Sequence, residues 1–526
     1  MSLNIIDKAV MYVSPERGLR RSVARQALSI TWSNHTRYAA AMRTRLRDNR
    51  TSTNVGPDVL TERYMVELRS RARAQARDSG LAKRMVELWV NHLIGEGFAT
   101  TFAALAGGKT AAKRQNDTFV EWFGSTLCDS TGLSDGHALF SLATAIMVRD
   151  GNAFIRRVII GRDHPDFKRM KVPAKLQVLE PDFLDINRNG EAENGNPIVM
   201  GIEYDKKYPD VRVAYWLFDQ HPGERSWKRW ATNYQSTRVP ADEIIHLFVR
   251  DRNNSLGVTW FHAILETLED FSEYLDALRM KAKIEACFSL VITSQSNTGQ
   301  NAPVPAGQGD SDYIQSDDEI TPGIIRYARP GDQITPVDPS NSSGHSVLVS
   351  TLIRLAAVGM GLTYDQAYSD LTGANYSSLR AGKMEFNRAV RQKQSLILYP
   401  AAVRVAEWFL EAGQLASLWK TSDSPIEITF DPPDVVDPMK DGAAERADVE
   451  FGLDTFAERI KARGKNPVQH ITALKEEIDF FKATFGEDAQ HPFLQMLLKL
   501  SAKAPPGTAD GAPEDDENAP PTRSSA

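Results

Sequence analysis

The chain has 526 residues, 42% of them hydrophobic; it is too long for one ordinary core, so two or more domains, or one elongated subunit of an assembly, are expected. Its 62 lysines and arginines stand against 68 acidic residues, and the formal charge of −6 excludes wholesale electrostatic capture of nucleic acid, leaving only local DNA contacts. No apolar run reaches the ~18 residues of a membrane span, and two distant cysteines, Cys128 and Cys287, without a signal peptide fit reduced thiols in a cytoplasm.

The first ninety residues read as helical and arginine-rich, with Arg20, Arg21, Arg43, Arg45 and Arg47 ahead of Pro57 and Arg69, Arg71, Arg73 and Arg77 after it. Such a segment is either a basic arm for nucleic acid or an acidic partner, or a solvated helical face. Residues 81–94 form a strongly periodic helix closed by Gly95-Glu96-Gly97. The run from Ala103 to Thr110 ends in Gly-Gly-Lys-Thr like a phosphate-binding loop. Its first glycine position is Ala103, however, and no clean strand precedes it, so an ordinary surface turn is the reading.

A helix is expected over residues 117–127, followed by strands. Residues 145–149 and 153–160 flank Asp150-Gly151-Asn152 and predict a hairpin with a favoured Asp-Gly turn. Further strands are expected at 176–186, 201–205, 211–218 and 243–248, giving an antiparallel sheet with one face packed on helices, an α+β domain. His246, following Ile244 and Ile245, reads as a hydrogen-bonded structural histidine.

A long helix begins near Thr259, with an apolar stripe through Phe261, Ile264, Leu268, Phe271, Leu275 and Leu278. Its other face is acidic from Glu266 to Asp276 and then basic at Arg279, Lys281 and Lys283. In one chain this is an exposed face with cations near the helix C-terminus; in a ring of subunits it becomes stacked charged bands. A Gly, Pro, Ser and Asp-rich run over 294–318 and short strands near 288–293, 324–327 and 333–335 lead to a helix capped by Ser346 and stopped by Gly359 and Gly361. Residues 362–376 form a long polar and aromatic connection, functional or disordered by its length. Helical periodicity resumes from Ser377, with a kink expected at Pro400 and an end at Gly413. A strand over 426–430 precedes helices near 440–452, 455–463 and 468–485, and the composition from 504 onward predicts disorder.

Several ordered segments resemble the lambda-like family of phage portal proteins. Gly257-Val258-Thr259-Trp260 leads into the long helix, and Ile284-Glu285-Ala286-Cys287-Phe288 closes it. Pro322-Gly323-Ile324-Ile325, Ala328-Arg329-Pro330-Gly331-Asp332 and Asp338-Pro339-Ser340 follow. The most telling segments are Gly361-Leu362-Thr363-Tyr364 and the run from Asn375 to Gly382, continued by Phe430-Asp431-Pro432-Pro433 and Gly452-Leu453-Asp454-Thr455. The resemblance spans most of residues 60–480. Thr259 and Thr363 stand where members often carry proline, which leaves those turns less rigid.

The resemblance implies an α+β, portal-type elongated subunit with an α/β wing, a two-helix stem, a small β-containing clip and a helical C-terminal crown. Its parts would be a basic N-terminal arm (1–60), wing (61–258), first stem helix (259–285), clip (286–345), second stem helix (346–361), tunnel loop (362–376), long wing helix and return strand (377–440), crown (441–503) and disordered tail (504–526). It further implies a homo-oligomeric ring, typically of twelve subunits, at the portal vertex of a virion capsid, assembled in the host cytoplasm. Double-stranded DNA would pass through it without sequence specificity during packaging and ejection. Terminase, head-completion or tail-adaptor proteins, and major capsid and scaffold proteins are the implied partners, with no membrane and no cofactor.

In the tunnel loop Gln366, Thr372 and Asn375 offer weak hydrogen bonds to phosphates, while Tyr364, Tyr368 and Tyr376 either join them or pack the loop against its neighbour. Arg279, Lys281 and Lys283 form the stem charge band. No catalytic or metal-binding cluster is expected. The alternatives are a DNA-packaging ATPase or nuclease, which lacks its motifs here, and another ring-forming head or tail protein.

Overall fold

Ser79 shows how local sequence sets the first helices: in extended conformation it ends α1 (Pro57–Asp78), and its hydroxyl accepts from the Ala82 N–H to start α2 (Gly80–Leu93). Ala82, Met85, Leu88, Trp89 and Leu93, spaced by three and four, are the buried stripe of α2. The computed structural model describes residues 54–103, 108–223, 235–287, 291–292, 326–327, 342–370, 376–431, 438–463 and 467–485, with Tyr12 and Thr372. The chain divides into units Met1–Val59 and Leu60–Ala526. The expected basic arm, most of the clip and the tail lie outside the described residues.

In the larger unit β1 (Phe98–Phe102) pairs antiparallel with β12 (Ile426–Phe430), matching the strand expected at 426–430. Helices α3 (Lys109–Phe123) and α4 (Gly136–Asp150) follow. The hairpin expected around Asp150-Gly151 does not form. Residues 145–149 belong to α4, whose Leu139, Phe140, Ala143, Ile146 and Met147 are buried at helical spacing. Gly151 is its left-handed cap, with φ +90° and its N–H on the Met147 carbonyl; a Cβ there would lie 2.4 Å from the Val258 backbone, so only glycine fits. The Asp-Gly pair that marks a hairpin thus ends a helix.

β2 (Asn152–Ile159) is the centre of an antiparallel sheet between β3 (Ala174–Leu179) and β9 (Ile244–Phe248). A second antiparallel sheet runs β4 (Gly190–Glu191), β5 (Pro197–Val199), β6 (Ile202–Tyr204), β7 (Arg212–Phe218), β8 (Ser236–Pro240). The expected strand 176–186 is shorter because Pro181–Phe183 turns as a 3-10 helix. His246 has the expected structural role. Arg212 donates to Nδ1 (2.8 Å), Nε2 donates to Asn152 (3.0 Å), and burial together with the Arg212 charge holds the imidazole neutral, its pKa well below the ordinary value.

Two hydrophobic cores result. The larger is built from α2, α3, α4 and the helix over 399–415, with residues such as Leu265, Ala357 and Phe386; the smaller includes Phe154, Leu179, Ile202, Tyr215, Leu217 and Val239 between the sheets. Ala153 and Ile155 face the first core and Phe154 the second.

The remaining helices are α5 (Leu265–Cys287), α6 (Ser342–Gly359), α7 (Tyr364–Tyr368), α8 (Tyr376–Lys393) and α9 (Tyr399–Leu415), then α10 (Pro438–Glu450), α11 (Phe456–Ala462) and α12 (Pro467–Phe485). Short strands β10 (Val291–Ile292) and β11 (Arg326–Tyr327) pair in parallel. Gly413 does not end the long helix. It lies inside α9, where the missing Cβ leaves room for the Trp419 ring, and Trp419 donates to the Leu410 carbonyl (2.8 Å).

Candidate functional site

α5 and α6 run antiparallel. Near one end Ile264 lies against Gly359, and farther along His345 Nδ1 meets the Tyr274 hydroxyl (2.5 Å) while Lys281 donates to its Nε2 (3.5 Å). A 3-10 turn, Trp260–Ala263, capped by Thr259 precedes α5, so the regular helix begins later than the sequence suggests. The acidic face of α5 is partly paired: Arg71 bonds Glu269 through Nε (3.0 Å) and Nη2 (2.5 Å). In the basic band Arg279 pairs with Asp276 (2.9 Å) and Lys283 is exposed.

α6 presents apolar side chains in two directions. Ile353, Ala356, Ala357 and Met360 are buried inward, whereas Val347, Leu355 and Val358 are 63%, 57% and 74% exposed along the opposite stripe. Thr351 and Arg354 are exposed on that same face. In this chain α6 is enclosed on one side only.

The connection after α6 is ordered at its start. Leu362 N–H returns to the Ala357 carbonyl (2.8 Å), and Thr363 caps α7 with a reciprocal pair: its hydroxyl accepts from Gln366 N–H (3.4 Å) and its N–H donates to Gln366 Oε1 (3.1 Å). Gln366 therefore serves as a cap. Tyr364 stacks on the half-exposed Tyr368 at 5.7 Å with the Arg354 guanidinium over Tyr364 at 5.2 Å, and partial desolvation, helped by the Asp370 charge, raises the Tyr364 pKa. Thr372 donates to Asp370 through its N–H (2.9 Å) and hydroxyl (2.5 Å), which lowers the Asp370 pKa. Asn375 and the Tyr376 side chain lie outside the described residues.

These elements converge on Trp89, which the sequence places only within the periodic helix expected at 81–94. Its indole N–H donates to the Met360 carbonyl (3.0 Å), its ring lies edge-on to Trp260 at 5.0 Å and tilted to Phe386 at 5.1 Å. Lys393 completes the group, with its ammonium 4.4 Å from the Trp260 ring and 5.4 Å from the Trp89 ring. Burial lowers the Lys393 pKa, against a weaker pull from Asp251. Nothing local in the sequence links positions so far apart.

A charged cluster also escaped the sequence. Arg73 Nη2 bonds Asp150 (2.7 Å) and Asp182 (2.6 Å) and reaches Glu180 (3.4 Å), Arg149 bonds Asp150 (2.8 Å) and Glu180 (3.2 Å), and Arg69 pairs with Asp182 (3.1 Å). Burial works against the Arg73 charge, but its bonds to Asp150 and Asp182 outweigh that and raise its pKa. Glu180, Asp182 and His221 bring three ligand atoms within 4.8 Å of one another, a spacing compatible with a metal ion. Arg73 already supplies the cation to both carboxylates, so the group is an ion-pair network.

No helix among the described residues is long and apolar enough to cross a membrane. A probable portal protein of Halomonas phage phiHAP-1 is 28% identical over 463 residues, covering 85% of this chain and 86% of that protein. Among solved structures, a chain from the virion of a native gene transfer agent particle aligns at 15% identity and TM-score 0.40, over 77% of this chain and 94% of its own length. A chain from the neck of the native particle, computed with C12 symmetry, aligns at 15% identity and TM-score 0.40, over 80% and 98%. The family described as phage portal protein, lambda family, matches residues 43–394, which include α1 to α8 and the whole helix, loop and helix region around Trp89. The chain belongs to the lambda family of phage portal proteins.

Proposed function

We propose that this portal protein assembles into a ring, typically of twelve copies, whose axial channel conducts double-stranded DNA at one capsid vertex. In this reading α5 and α6 are the stem, residues 286–345 the clip, 362–376 the tunnel loop, α8 and α9 the long wing helix, and residues 441–503 the crown. The observation that carries it is the outward stripe Val347, Leu355 and Val358 on an antiparallel helix pair. A neighbouring copy covers that stripe, and its cost in water disappears on assembly.

A channel must touch a duplex carrying one charge per roughly 1.7 Å without holding it, which suits an acidic subunit with limited basic bands such as Arg279, Lys281 and Lys283. Tyr364, Tyr368 and Thr372 meet the DNA backbone through contacts that carry no sequence information. Terminase and then head-completion or tail-adaptor proteins dock on the clip, and capsid and scaffold proteins surround the wing. Electron microscopy of the purified full chain tests this: closed rings with an open axial hole are expected, and magnesium-dependent ATP turnover by the chain alone contradicts it.

A further inference from the structure

Between α8 and α9, where a kink is expected at Pro400, the helical hydrogen bonding is not interrupted. It runs continuously through a π-helical turn, Gln394–Leu398, in which Tyr399 N–H donates to the Gln394 carbonyl five residues back. The cause lies just beyond. Pro400 has no N–H, and its ring would strike the Leu396 carbonyl in a regular helix, so the turn widens by one residue ahead of it. One residue of α-helix corresponds to a rotation of about 100° and a rise of about 1.5 Å. An α-to-π change at this turn therefore rotates all of α8 against α9.

Two contacts where α8 meets the turn oppose that rotation, in addition to the packing of the buried Phe386 on Trp89. Lys393 sits on the faces of Trp260 and Trp89, and among the described residues no carboxylate pairs with it. Gln394 Nε2 donates to the Leu93 carbonyl at 3.0 Å. Trp260 Nε1 is buried without an acceptor among the described residues, so face contacts dominate what holds that indole. Trp89, the other wall of the seat, is bonded to Met360 at the end of α6. The same few side chains thus touch the start of the α5 region, the end of α6 and the base of α8.

We propose that the π turn Gln394–Leu398 and the Lys393 seat on Trp89 and Trp260 form a register switch, in which release of the ammonium lets α8 rotate while α9, anchored by the buried Trp408, Phe409 and Leu410, stays fixed. The switch is a property of the single chain and does not depend on the DNA-channel reading. α9 contributes many fully buried residues to the main core, whereas Arg388, Arg391 and Met384 leave much of α8 exposed, which sets the direction of movement.

Hydrogen exchange of the intact full-length chain tests the switch. Lys393→Met keeps the aliphatic stem and removes the charge. It should accelerate exchange over 376–393 about tenfold, the scale of a desolvated cation–π contact, with 399–415 unchanged. Lys393→Arg, which preserves the cation over the rings, should exchange like the parent. Trp260→Leu, removing one wall and leaving Lys393, should accelerate the same amides. Equal acceleration in α8 and α9, no acceleration in either Lys393→Met or Trp260→Leu, or a Lys393→Arg pattern matching Lys393→Met, overturns the proposal.

Discussion

The indole N–H of Trp89 donates to the main-chain carbonyl of Met360 across 3.0 Å, tying the second helix of the larger unit to the last turn of α6. The carbonyl lies at a helix end, where no intrahelical donor is available to it. Trp89→Phe keeps most of the packing with Trp260 and Phe386 and strands this acceptor. It should destabilise the chain by about 1–3 kcal/mol, against about 3–5 kcal/mol for Trp89→Ala, as measured by denaturant titration.

The side chain of Asp150 is fully buried and shared by Arg73 and Arg149. Asp150→Asn leaves two guanidinium groups without their common carboxylate and should cost about 3–5 kcal/mol. A loss below 1 kcal/mol in a two-state melt counts against the network as a structural element.

Glu203 should make stability pH-dependent. The hydrogen-bonded Arg238 guanidinium chiefly, with Asn194 and Asn196, overcomes burial and lowers its pKa from 4.5 to about 2. A depressed folded-state value means that the unfolded chain binds the proton first. The contribution is complete above about pH 4.5 and is lost as pH falls toward 2, by roughly 3 kcal/mol at about 1.4 kcal/mol per pKa unit. Glu203→Gln should flatten that part of the stability curve.

Leu355 and Val358 are proposed to be covered in the ring. Leu355→Glu combined with Val358→Glu should leave the far-ultraviolet spectrum unchanged and yield monomers in sedimentation, because isolated chains already expose both positions to water. Rings of normal size from this double variant remove α6 from the interface.

Deleting residues 363–374 removes the Thr363 cap and the Tyr364–Tyr368 stack while leaving α6 and α8 intact. Assembly should persist, with packaging or DNA retention impaired. Normal packaging by the deletion removes the assigned role of the loop.

Much of this architecture was legible locally. Alternating residues marked β7 and β9, and the three- and four-residue spacing of Ala82, Met85, Trp89 and Leu93 marked α2. Residues 145–149 misled because four apolar residues before Asp-Gly suit a strand as well as a helix, and only the run back to Leu139 distinguishes them. Pro400 pointed to a disturbance at the correct place, but a proline can be accommodated by a kink or by a widened turn upstream, and the sequence does not distinguish the two. The loop appeared as one polar connection because capping residues and exposed loop residues share a composition; Thr363 and Gln366 form a cap there. Trp89 with Met360 and Lys393, and the Arg73 cluster, join distant segments, which no periodicity encodes.

Strand β2 is a wall shared by two rooms, with Ala153 and Ile155 turned into one and Phe154 into the other. Side chains along a strand alternate, so inserting or removing one residue exchanges the contents of both rooms at once, placing Phe154 where Ile155 belongs and the reverse. Length variation among related chains is therefore expected to spare Asn152–Ile159 and to collect in the connections on either side.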